Sequence, residues 1–146
     1  MNWKTEAMEK LRRYDAMQKA TVNIPQEIRR LEDESVALRS GLAVRPTGSR
    51  DVRHREEVLL DNLVTRQQLQ WSLKQARSWT ALVHNALMGL DPEEQMILKL
   101  LYILPRDAAV EQLTQKLGLE KSSIYRRRDR ALRKFTLSLY GAEESN

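Results

Sequence analysis

The stretch Leu113-Thr114-Gln115-Lys116-Leu117-Gly118-Leu119 constrains this 146-residue chain more than any other. Leu113 and Leu117 stand one helical turn apart, so both project from the same face of a helix. Gly118 follows at once, the residue expected where a helix ends with positive φ. Leu119 then supplies an apolar contact beyond the turn, and Ile124, a β-branched residue five positions on, begins a new stripe. That stripe continues through Ala131, Leu132, Phe135 and Leu139 at three- and four-residue spacings. A short helix, a tight glycine turn and a longer helix in this spacing form the helix-turn-helix pattern.

The second helix of the pair concentrates charge. Residues 121–134 hold seven basic residues and one acid, Asp129, a local +6. The whole chain carries +5, so everything else must sum to −1. Basic character is local here, which suits an anionic partner met by one surface. Opposite the Ile124–Ala131–Phe135 side lie Ser122, Arg126, Asp129 and Arg133, with Ser123, Tyr125 and Arg130 on the flanks. A helix of this kind fits the major groove of DNA. We expect Ser122, Ser123, Tyr125 and Arg126 at base edges, Arg126 in the bidentate geometry that guanine accepts. Lys121, Arg127, Arg130, Arg133 and Lys134 are expected on phosphates, where they release counterions.

Upstream of this pair, Asp91-Pro92-Glu93-Glu94 has an N-cap acid, a proline at the first helical position and a glutamate at the third. The spacing predicts a support helix over 92–104, ended by Pro105, which covers the back of the reading pair. Gly141 is the expected cap of the last helix. The compact C-terminal domain is therefore 91–141, with 142–146 a frayed tail.

The remainder also reads as helical. Trp3, Ala7, Leu11, Tyr14 and Met17 mark an amphipathic helix over 2–22. Pro25 interrupts it, and a second stripe follows at Ile24, Ile28, Leu31, Ser35 and Leu38. Two helices broken near Asn23, together spanning 1–38, are expected, with one kinked helix the alternative. Residues 39–55 lose periodicity around Gly41, Pro46, Gly48 and Ser49 and carry five arginines. We read them as a solvated loop; an arm touching DNA phosphates is the other reading. Residues 56–90 read as one long helix with an unbroken 4-3-4-3-4-3 seam: Leu69, Leu73, Ala76, Thr80, Val83, Leu87 and Leu90. Trp71, Gln75, Trp79, Leu82 and Ala86 form a second strip beside it. Such a helix needs at least two neighbours, supplied by the N-terminal region or by a second subunit. A homodimer is expected, the usual way a helix-turn-helix gains affinity.

Few glycines and prolines, with abundant Leu, Arg, Glu, Gln and Ala, fit an all-α fold: an N-terminal helical bundle or coiled-coil segment, then the helix-turn-helix domain. The absence of cysteine excludes disulfides and thiolate metal sites and fits a reducing cytoplasm. Residues 96–104, the longest apolar run, contain Lys99 and cannot span a membrane. Residues 1–14 alternate apolar and charged, unlike a secretory signal. His54 stands alone among arginines, His84 reads as a polar-edge residue of its helix, and no glycine-rich phosphate loop occurs. We expect no catalysis, no cofactor and no metal.

With these residues in place, DPEEQMILKLLY (91–102) and EQLTQKLGLEKSSIYRRRDRALRKF (111–135) resemble region four of bacterial housekeeping sigma factors. The C-terminal run Ser122–Gly141 (SSIYRRRDRALRKFTLSLYG), after a helical N-terminal portion, resembles more closely the ArpU/RinA-like phage transcriptional regulators. The specific motif covers about fifty residues. The resemblance implies a phage or prophage activator of late genes, acting on double-stranded DNA in the bacterial cytoplasm, with host RNA polymerase a further partner. Three positions depart from the pattern. Thr114 replaces the usual alanine, which requires its methyl to pack inward. Glu120 replaces a Ser or Thr cap, and Arg127 a commonly apolar residue. Arg127 or Arg128 is expected to snorkel or to pair with an acid such as Glu111 or Asp91. The competing readings are a small terminase subunit for DNA packaging, which would assemble into rings, and a polymerase-binding sigma-like module.

Overall fold

The computed structural model describes residues 2–40 and 49–142, and every regular element among them is helical. In order these are α1 (Trp3–Arg39), α2 (Ser49–Met88), α3 (Pro92–Leu98), a π-helical turn (Lys99–Ile103), α4 (Ala109–Leu117) and α5 (Lys121–Tyr140). The chain divides into two compact units, one of Met1–Gln18 with Ser78–Asn146, the other of Lys19–Arg77.

The expected break near Asn23 does not occur. Pro25 lies inside α1, which is a single helix of 37 residues. A proline in a helix interior costs about 3 kcal/mol. Burial of Ile28 and Leu31 just beyond it outweighs that cost, at about 1.5–3 kcal/mol for each side chain. The loop is also shorter than expected. α2 begins at Ser49, so Arg50, Arg53 and Arg55 are helical, while Gly41, Arg45, Pro46 and Gly48 lie outside the described residues. Arg55 is not an arm residue: its guanidinium donates to the Leu38 carbonyl. The tail expected over 142–146 lies, from 143 on, outside the described residues.

In the Lys19–Arg77 unit, the two helical segments run antiparallel, since Leu31 meets Asn62 and Leu38 meets Arg55. Asn62 is 6% exposed. Its amide donates to the Leu31 carbonyl at 2.8 Å, and its side-chain oxygen accepts from Arg66 Nε at 2.8 Å. A satisfied polar group in an apolar seam fixes one register, because any slip would strand it without partners.

The other unit has two cores. One joins Ala7, Leu11 and Tyr14 of α1 to Val83, Ala86 and Leu87 of α2, together with Leu90, Leu98, Ala131, Leu132 and Phe135. The smaller joins Ile97, Leu100, Ala109, Leu113 and Ile124, with Leu117 and Leu119 packed against it. The α2 seam is thus covered from within the chain: Leu73, Ala76, Val83, Leu87 and Leu90 are all buried. The second strip is covered only in part: Ala86 is buried and Trp79 packs against the first core, but Trp71 and Leu82 are exposed. No helix among the described residues is long and apolar enough to cross a membrane.

Candidate nucleic-acid interface

The interface is built on α5, and the surrounding sequence fixes where that helix lies. Asp91 caps α3: its carboxylate accepts from the Glu94 backbone N–H at 2.8 Å, and Glu94 Oε1 accepts from the Asp91 N–H at 3.2 Å. That backbone N–H is the main cause holding the Asp91 carboxyl below the usual carboxylate range, with the Lys134 charge assisting. After Leu98 the helix widens instead of continuing as α. Leu104 N–H donates to the Lys99 carbonyl at 2.8 Å, a five-residue closure. Leu104, the residue before Pro105, then leaves the helical region at φ −124° and ψ 71°, in line with the bias against helix before a proline.

Gly118 takes φ 65° and ψ 32°, and its N–H closes on the Thr114 carbonyl at 2.9 Å. Nothing lies within 4 Å of where a Cβ would sit, so only the left-handed backbone calls for glycine there. Thr114 turns its hydroxyl back to the Glu111 carbonyl at 2.7 Å. Glu120 occupies the N-cap of α5 without a side-chain cap bond, in keeping with its departure from the usual Ser or Thr.

α5 is held at both ends by different cores. Ile124 seats its first turns against α3 and α4, while Ala131, Leu132 and Phe135 seat its second half against α1 and α2. The opposite side is solvent-facing: Lys121, Ser122, Tyr125, Arg126, Asp129, Arg130, Arg133 and Lys134 are exposed, with Ser123 and Arg127 half-buried. Ser123, Arg126, Arg127 and Arg130 together line a shallow depression of about 240 Å³. Arg126 donates to Ser123 Oγ at 3.5 Å, a long bond that a better acceptor would displace.

The seven cations are not equivalent. Arg127 pairs with Glu93 at 2.5 Å and Arg128 with Asp129 at 2.9 Å, so the acids engaged are neither Glu111 nor Asp91. Arg128 also lies over the Tyr125 ring, 5.0 Å from its centre. Lys121 reaches Glu111 at 3.5 Å across exposed surface. Lys134, assigned from sequence to a phosphate, instead meets Glu94 at 3.0 Å. That carboxylate is only 7% exposed, so Lys134 serves the α3–α5 contact. Arg126 and Arg130 form no ion pair among the described residues.

Sequence reasoning missed both glutamate partners on α3. Residues thirty-four and forty positions apart leave no periodic trace, though the two acids beside Pro92 sit in the first turn of a helix expected to back α5. Among the described residues no cluster of three or more His, Cys, Asp or Glu comes together as a metal would need. Compared with protein-family models, curated proteins and solved structures, the chain matches none.

Proposed function

We propose that this chain is a sequence-specific DNA-binding transcriptional regulator that reads the major groove with α5. The observation that carries the reading is the outward face of α5. Arg126 and Arg130, which form no ion pair among the described residues, stand beside Ser122, Ser123 and Tyr125, directly after the glycine turn, on a helix seated at both ends. A solvated surface helix ordinarily mixes charges; this one, Asp129 apart, is basic on its exposed side. Arg126, Ser122, Ser123 and Tyr125 contact base edges, and Lys121, Arg130 and Arg133 contact phosphates. Arg127 and Lys134 brace α5 against α3.

The sequence resemblance supports reading this regulator as a phage or prophage activator of late genes, at work in the cytoplasm of a bacterial host with RNA polymerase as second partner. Binding as a pair would make the operator a repeat with half-sites about one helical turn of DNA apart. The test is selection from a random DNA library at low salt, followed by sequencing of the retained DNA. One enriched motif supports the proposal, and Arg126→Ala should then weaken that site by about 1–3 kcal/mol and relax preference at one position. Equal loss on selected and random DNA would remove Arg126 from the base contacts. Failure to retain any DNA would overturn the reading as a whole.

A further inference from the structure

The outer face of α2 in the Lys19–Arg77 unit carries a second apolar stripe that stays exposed among the described residues. Leu60 is 59% exposed, Val64 43% and Trp71 65%, with Leu63 beside them at 39%. At 100° per residue, Leu60, Val64 and Trp71 fall within about 40° of one another. They lie roughly opposite Asn62, Leu73 and Ala76, which are buried inside the unit. One helix face is therefore buried within the unit, and the other is apolar and exposed among the described residues.

We infer that this stripe is the face on which two copies of the chain pair, α2 against α2, antiparallel. The first argument is architectural. Among the described residues the unit has two helical segments, which can bury a single seam between them. Two such hairpins back to back make a four-helix arrangement in which both faces of α2 are covered. The second argument is charge. An antiparallel pairing centred between Val64 and Gln67 sets Leu60 against Trp71 of the second copy, twice by symmetry. In that register Glu56 faces Lys74 of the second copy on the same flank, and both side chains are exposed. A parallel pairing would instead set Glu56 against Glu57 of the second copy, acid on acid. The sequence thus favours one orientation over the other.

This inference stands apart from the DNA reading, since a monomer can also bind DNA and a dimer need not. It is tested on the full chain by light-scattering mass at tens of micromolar. The expected mass is twice the 17.1 kDa of one chain. Trp71→Glu and Leu60→Glu should each give a monomer with unchanged helical circular dichroism, because both positions are exposed within the unit. Lys74→Glu should raise the dimer dissociation constant on the order of tenfold through two symmetric pairs, and Glu56→Lys in the same chain should restore it. A wild-type monomer, a ring-sized mass, or a dimer indifferent to Trp71→Glu would overturn the interface. A dimer broken by Trp71→Glu in which the Lys74 and Glu56 exchanges show no mutual rescue would overturn the antiparallel register.

Discussion

Arg130 and Lys134 sit one turn apart on α5, yet the structure gives them opposite tasks, and salt dependence can separate them. Arg130 is exposed and forms no ion pair among the described residues, so in the proposed complex it neutralises a phosphate. Arg130→Ala should then lower the slope of log affinity against log salt by about 0.9 for each chain bound. Between 50 and 200 mM salt this amounts to about a 3.5-fold smaller loss of affinity per chain. Lys134 differs because its partner, Glu94, is 7% exposed and shares the same oxygen with the Asp91 N–H. Moving Lys134 to a phosphate would strand that carboxylate, which costs more than one screened surface contact returns. Lys134→Ala should leave the slope unchanged and lower folding stability by about 1 kcal/mol. The modest figure reflects a lysine side chain that is 51% exposed. Fluorescence anisotropy on the selected DNA across salt, with urea denaturation of both variants, reads the two effects. If Lys134→Ala flattens the slope as much as Arg130→Ala, the bracing assignment is wrong.

Three further outcomes follow from the same geometry. Gly118→Ala should cost about 1 kcal/mol in urea denaturation: the left-handed backbone penalises a Cβ by about 1–2 kcal/mol, less what the unfolded chain loses in freedom. A loss above about 3 kcal/mol would mean that the added methyl meets atoms, contrary to the open space around it. Phe135→Ala, at a fully buried position joining α5 to α1 and α2, should cost about 3–5 kcal/mol, whereas Leu137→Ala, 46% exposed, should be nearly neutral; similar melting temperatures for the two would contradict the assigned faces. Because the folded state holds the Asp91 carboxyl below its ordinary value, its contribution to stability is present above about pH 4 and lost as pH falls through the lowered value. Asp91→Asn keeps a capping oxygen but removes this titration, so its melting temperature should fall less steeply than the wild type's below pH 4; parallel curves would exclude the cap as the cause.

What the sequence determined by itself was whatever depends on neighbours a few positions apart. The caps at Asp91, Gly118 and Gly141, the α4–α5 pair and the buried face of Ile124, Ala131 and Phe135 all follow from local backbone preference and helical periodicity. The arginine-rich outer face of α5 followed from the same 100° geometry. Tertiary structure decided what depends on the whole balance of burial and pairing. Pro25 signalled a break, but Ile28 and Leu31 gain more by staying buried on an unbroken α1 than one missing N–H costs. The positions expected in a loop near Arg50 became the start of α2. The 4-3-4 seam of α2 promised partners without naming them; Ala7, Leu11 and Tyr14 from more than sixty residues upstream fill its C-terminal end. Seven cations on one helix look alike in a sequence. Only the approach of Glu93 and Glu94 on α3 separates Arg127 and Lys134 from Arg126 and Arg130, because ion pairing depends on distance in space and on exclusion of water, and neither is written in spacing along the chain.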